Sequence, residues 1–145
     1  MVTVNLAGGG TMDIPADEVV RIRRTGPVET PHGNTRIDWS IVSYVMDEAS
    51  DVASAVAAEM NTPSNLGQLN TPGLGPLWFF GPASKGPIHL PQQWLTNGIK
   101  SMLIIANMKQ YVSDEPGVVA QVVHDAGGES FSVISNSLAE WDTVA

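Results

Sequence analysis

Apolar and polar residues alternate over the first stretch of the chain. Val2, Val4 and Leu6 do so before Gly8-Gly9-Gly10, and Met12 and Ile14 resume after it. A period of two is that of a half-buried strand, and two such runs around a glycine turn predict a β-hairpin over residues 2–14. Pro15-Ala16-Asp17-Glu18 reads as a turn, and Val19, Val20 and Ile22 begin a further extended stretch. Residues 25–34, rich in Thr, Gly and Pro, are loop by local rule. Thr35 to Val45 is strand-like again, with Ile, Val, Trp and Tyr. The period then lengthens. Asp47-Glu48-Ala49-Ser50 reads as a helix start with acids at the positive end of the dipole, and Val52, Ala55, Val56 and Glu59 continue it at helical spacing.

Residues 61–76, made of Asn, Thr, Pro, Gly and Leu, read as a linker. Leu77-Trp78-Phe79-Phe80 opens the second half as a strong apolar strand, and residues 81–87 turn the chain. Ile88 to Leu90 is a short strand. Ile99 to Ile105 and Lys109 to Val112 are two strands, or one bent strand, around Ala106-Asn107-Met108. Asp114-Glu115-Pro116 starts a second helix, since Pro suits the first helical position. Val118, Val119, Val122 and Val123 give it an apolar face, and Gly127-Gly128 stops it. Phe131, Val133 and Ile134 suggest a final strand before an acidic tail.

The two halves resemble each other. Residues 44–56 and 111–123 align without a gap and match at Tyr44, Val45, Asp47, Glu48, Val52, Ala53 and Val56. Upstream, Ile14-Pro15 is set against Leu90-Pro91, and the Gly-rich turn after Val2–Leu6 against the Gly-Pro turn after Leu77–Phe80. A unit of this size buries too little apolar surface to be stable alone, so two copies are expected to pack together. The expected fold is α+β: two diverged β-rich repeats, each ending in one helix and sharing a core, as a pseudo-two-fold domain. The expected boundaries are 1–60 for the first repeat, 61–76 for the linker, 77–128 for the second repeat, and 129–145 for a C-terminal strand and acidic tail.

Val2, Val4, Leu6, Gly9, Ile14, Asp17, Val19, Ile22, Val45, Glu48, Val52 and Val56 follow a recurrent pattern. It runs apolar strand, Gly turn, apolar-Pro step, and a last Val before an acidic helix start. In this each half resembles the small flagellar and swarming-motility regulator (FlbD-like) unit, here duplicated. The resemblance implies a fold and carries no function with it.

Composition narrows the chemistry. Fifteen acids against seven bases leave the 145-residue chain at -8, and such a chain repels phosphate backbones, so nucleic acid is not an expected partner. Four of the bases, Arg21, Arg23, Arg24 and Arg36, fall close together. They read first as a solvated strand-and-loop edge and second as a local anion or carboxylate contact. The absence of cysteine removes disulfides, thiolate metal ligands and a thiol nucleophile. His32, His89 and His124 lie far apart and share no metal-ligand spacing, so no metal and no cofactor is expected. The N-terminus lacks a basic stretch followed by an apolar one, and no apolar run has membrane-spanning length, so neither export nor a membrane is expected.

Asp47-Glu48 and Asp114-Glu115 read as caps and dipole partners rather than acid–base pairs. There is no G-x-S-x-G elbow, and Gly8-Gly9-Gly10 lacks a following Lys-Ser/Thr, so the chain is not expected to be an enzyme. The large aromatics point to surfaces instead. Trp94 in a Pro-flanked polar stretch and Trp141 in the tail are candidate interface residues, with Phe80, Leu66 and Leu69, whereas Trp39 and Trp78 read as core. The expected role is a non-catalytic structural or assembly protein that contacts itself or a larger assembly through loops 25–34 and 61–76 and the tail. Its concrete form is a bacteriophage virion component such as a capsid decoration or cement protein, assembled in the host cytoplasm. The alternatives are a counter-defence protein that binds a nucleotide signal through the arginines, and a regulatory adaptor of the motility type.

Overall fold

The structure, a computed structural model, describes residues 1–132. Alternating Val2, Val4, Met12 and Ile14 form the expected hairpin, β1 (Val2–Asn5) with β2 (Thr11–Ile14). A meander follows, β3 (Arg21–Arg24), β4 (Thr35–Asp38) and β5 (Val42–Val45), and then helix α1 (Ala49–Glu59). The second half begins with another hairpin, β6 (Leu66–Thr71) with β7 (Gly75–Phe80). A second meander, β8 (Ser84–Ile88), β9 (Ser101–Ile105) and β10 (Met108–Val112), leads to helix α2 (Pro116–Asp125) and a two-residue strand, β11 (Glu129–Ser130). The mixture of sheets and two helices is α+β. Phe131 directly follows β11, whereas Val133, Ile134, Trp141 and the rest of the expected tail lie outside the described residues.

Residues 61–76 are not a linker. Leu66–Thr71 is a strand in which Gly67, Leu69 and Thr71 face inward, and Pro72-Gly73-Leu74 is the hairpin turn, with Gly73 at φ 79° and Gly75 at φ 81°. A run of Asn, Thr, Gly and Pro resembles a linker in composition, but Gly67, Leu69 and Thr71 keep the period of two that β7 needs from a partner. The match of Ile14-Pro15 with Leu90-Pro91 also fails. Leu77–Phe80 is the second strand of its hairpin, and Leu90 lies beyond β8. The element order instead sets 2–14 against 67–79. Val2 pairs with Ile14 as Gly67 pairs with Phe79, and Val4 pairs with Met12 as Leu69 pairs with Leu77.

β7 joins the two halves. It pairs antiparallel with β3, so one sheet runs β5-β4-β3-β7-β6 and a second runs β10-β9-β8-β11. A two-fold arrangement would carry the reciprocal pair β2 with β8, but β8 is bonded to β9 on one side and to β11, in parallel, on the other. The cores are correspondingly two rather than one. Ile22, Ile37 and Val45 of the five-stranded sheet pack with the first hairpin and with Val52, Ala53 and Val56 of α1. Leu69, Leu77 and Phe79 pack with Leu103, Ile105 and Val112 and with Val119 and Val123 of α2. Because side chains alternate across a strand, β7 serves both, sending Leu77 and Phe79 to the second core and Trp78 and Phe80 to the first.

Each hairpin is tied to its helix start in the same way. Asp47 accepts from the Asn5 backbone N–H at 2.7 Å and from Asn5 Nδ2 at 3.1 Å, and Asp114 accepts from Asn70 at the same two distances. Thr35 Oγ1 donates to the Asp47 carbonyl at 2.6 Å, and Ser101 Oγ to the Asp114 carbonyl at 2.7 Å. Neither Glu48 nor Glu115, the residues at the two helix N-caps, makes a side-chain capping bond. The expectation that these acids are caps is therefore corrected for all four: the aspartate carboxylates hold the hairpins, and the glutamates stand at the N-cap positions without a capping bond.

Candidate functional site

The charged residues collect on one face of the five-stranded sheet. In its register Arg23 of β3 stands opposite Arg36 of β4, which stands opposite Tyr44 of β5. One row along, Arg21 is opposite Asp38. Ile22 and Ile37, which alternate with these residues, are fully buried in the first core on the other face. Two guanidiniums directly opposite across strands repel each other unless an anion lies between them.

The loop over residues 25–34 supplies that anion. Its first turn is closed by N–H groups of Glu29 and Thr30 donating to the Gly26 carbonyl, and its base by Thr25 Oγ1 donating to the Gly33 carbonyl at 2.8 Å. This fold of the loop lowers Glu29 onto the row. Arg23 grips it as a fork, Nη1 to Oε1 at 2.8 Å and Nη2 to Oε2 at 2.9 Å. The Gly26 N–H donates to Oε1 at 3.0 Å, Tyr44 Oη to Oε2 at 3.2 Å and Arg36 Nη1 to Oε2 at 3.4 Å. The His32 ring lies 5.5 Å from that of Tyr44 and tilted by 39°. The Glu29 carboxyl is held well below the usual range, at about 2. The Arg23 hydrogen bonds are the main cause. The Gly26 amide, the Arg23 charge and the Tyr44 hydroxyl add to them, and partial burial opposes.

Behind this clamp lies a buried pair. Arg21 Nε donates to Asp38 Oδ2 at 2.8 Å, and Arg21 Nη1 reaches across to Gln110 Oε1 of β10 at 2.8 Å, bonding the two halves. Asp38 also accepts from Arg36 Nη2 at 2.9 Å and Nε at 3.1 Å. Burial dominates at Arg21 and holds its guanidinium below the usual value despite Asp38. At Arg36 burial is again the largest influence, but the bonds and charge of Asp38 outweigh it and raise the guanidinium.

Of the four arginines read from the sequence as an edge or an anion contact, three thus meet carboxylates of the chain itself. Only Arg24 is exposed, and Arg21 is buried, so it is no part of a solvated edge. The residues the sequence reading missed are their partners Glu29 and Asp38. Asp38 sits two places from Arg36 in a strand, a same-face spacing that was available as a signal. Glu29 had none, since only the loop conformation delivers it.

The interface candidates separate. Trp94 is 51% exposed and its neighbour Leu95 43%. Leu69 is buried in the second core, and Leu66 and Phe80 pack against the first, so Leu69 is not a surface residue. Trp39 and Trp78 also pack there, as expected. A shallow groove of roughly 360 Å³ beside α1, lined by Ser50, Ser54, Leu66 and Trp78 among others, holds no ionisable group. Among the described residues no group of His, Asp and Glu is arranged to hold a metal ion, and no helix is long and apolar enough to cross a membrane. Comparison with protein-family models, with curated protein sequences and with solved structures returned no match.

Proposed function

We propose that the chain is a non-catalytic assembly protein, made of two diverged copies of one unit joined head to tail through β3 and β7. Its partners are copies of itself or a larger protein assembly. The duplication is supported by the common order of hairpin, meander and helix, by the matching hairpin registers and by the paired Asn–Asp ties. The observation that carries the functional reading is the placing of exposed apolar side chains. The β3–β4 connection exposes Val28 to 90%, and the corresponding β8–β9 connection exposes Trp94 and Leu95. A half-exposed Trp beside an exposed Leu marks a protein contact, since aromatic side chains bury much area at small entropic cost. Ile41 and Val42 add apolar surface at the β4–β5 turn.

The setting we propose is a bacteriophage virion, with the chain acting as a capsid decoration or cement protein after assembly in the host cytoplasm. Small size, lack of cysteine and acidic charge accord with it. A nucleotide-binding role loses support, because Arg21, Arg23 and Arg36 are already engaged by Asp38 and Glu29. The test is light scattering across a concentration series with wild type, Trp94→Ala and Leu95→Ser. Wild type is expected to associate, and each variant to shift to smaller species with unchanged circular dichroism. A wild type that stays monomeric at high concentration contradicts self-assembly, and variants that unfold make these residues core.

A further inference from the structure

We propose that the Arg23–Arg36–Tyr44 row is a carboxylate-binding site which the chain's own Glu29 occupies, and which takes an acidic side chain of a protein partner when the 25–34 loop lifts. Such a site would serve any partner with an exposed carboxylate, in a virion or elsewhere.

The first ground is that the fold does not require the charges. In the second half the corresponding row, reached past a shift in register between Lys85 and Ile88 that the first half lacks, is Ile88 of β8, Met102 of β9 and Tyr111 of β10. The tyrosine is kept and both arginines are replaced by apolar residues. A meander of this kind therefore closes without a guanidinium or a carboxylate at these positions, and the charged row in the first half is an addition.

The second ground is that the receptor stays in place without its occupant. Arg36 is fixed by two bonds to Asp38, Arg23 Nη1 donates also to the Arg24 carbonyl at 3.1 Å, and all three residues stand on hydrogen-bonded strands. The loop supplies Glu29, the Gly26 amide and the His32 ring beside Tyr44. With Glu29 withdrawn, Arg21, Arg23 and Arg36 face the single carboxylate of Asp38, a cationic spot on a chain of net charge -8. The guanidinium fork selects a planar, two-oxygen anion. Asp38, bonded to Arg36 on the same face, opposes the higher charge of a phosphate. The third ground is the loop tip, where Val28 is almost fully exposed one residue from Glu29. A partner that captures Val28 pulls on the segment that blocks the site.

The experiment has two arms. In the first, thermal unfolding of Glu29→Ala is followed in sodium acetate and in sodium chloride at equal ionic strength. Acetate at about 0.1 M is expected to raise the midpoint about 4 °C more than chloride does, as a millimolar-range ligand would. Wild type, and the triple variant Glu29→Ala, Arg23→Ile, Arg36→Met, are expected to show no difference between the salts. If Glu29→Ala does not fold, Glu29→Ser, whose side chain ends short of the arginine fork and leaves the site empty, is read in the same way. Equal responses to the two salts, or an acetate response that survives loss of both arginines, overturn the site. In the second arm, hydrogen exchange at the Gly26 amide of wild type is measured with N-acetylglutamate amide and with N-acetylglutamine amide. A several-fold faster exchange with the acidic probe alone is expected, because displacing Glu29 frees that amide. Equal rates with the two probes overturn exchange with an outside carboxylate.

Discussion

The two halves of this protein share a frame and differ on one face of it. In both, a hairpin of the same register is tied by an Asn to an Asp just before the helix, and a hydroxyl from the meander donates to that Asp's carbonyl. The rows across the meanders part company: Arg23, Arg36 and Tyr44 under a clamped Glu29 in one, Ile88, Met102 and Tyr111 in the other. The loops above them differ too, with Val28 at the tip of one and Trp94 and Leu95 on the other. What the halves share is what the fold needs, and what they do not share is where distinct contacts can be made.

The comparison breaks most visibly at Asp38. In the second half Ile104 is paired with Lys85 at the place where Asp38 is paired with Arg21, so no buried charge depends on it. Removal of Asp38 strands Arg21, whose side chain is 7% exposed, so Asp38→Ala is expected to cost about 3 kcal/mol or more in urea unfolding. A loss of less than about 1 kcal/mol would mean that Arg21 finds solvent or another acceptor.

Glu29→Gln is expected to cost less, about 1 to 2 kcal/mol at neutral pH, because the clamp is only partly buried and a neutral amide still accepts. The cost should depend on pH. The native carboxyl sits at about 2 against an ordinary 4.5, so its contribution is complete above the unfolded value and is lost as pH falls through the native one. The gap between wild type and Glu29→Gln is therefore expected to close between about pH 5 and pH 2. A gap of the same size at pH 2 would show that the ionised clamp contributes nothing.

The Asn ties sharpen the comparison from the other side. Asn5→Ala and Asn70→Ala each remove one side-chain bond to a carboxylate and leave the backbone one, and each is expected to cost about 1 kcal/mol. Equal costs in chemical denaturation support the ties as equivalent parts of one unit. A silent change in one half and a large one in the other would separate them.

Much of this frame was legible in the sequence because period and capping residues speak locally. The first hairpin, the strands of the first meander, β9 and β10, the two helices and their likeness over 44–56 and 111–123 all follow from such signals, whereas β8 occupies Ser84–Ile88, where the Gly-Pro-rich composition predicts a turn ahead of a strand at Ile88–Leu90. β6 was hidden because Leu66-Gly67-Gln68-Leu69-Asn70-Thr71 has loop-like composition, and only its pairing with Leu77–Phe80 makes it a strand. The two cores were hidden for a related reason: nothing local in Leu77-Trp78-Phe79-Phe80 tells that alternate residues serve different helices. The arginines could be seen to cluster. Their neutralisation by Glu29 could not, since it depends on a loop folding back over a row that exists only once three strands are in register.

The central claim is that the charged row is an addition to a frame that closes without it. Giving the first half the second half's chemistry tests this most directly, in the variant Arg23→Ile, Glu29→Leu, Arg36→Met. Exchanging a paired charge cluster for apolar residues of similar size is commonly neutral, so the variant is expected to keep its circular dichroism spectrum and to unfold in urea within about 1 kcal/mol of wild type. A variant that fails to fold, or that loses about 3 kcal/mol or more, would show that the row holds the fold together and contradict the account.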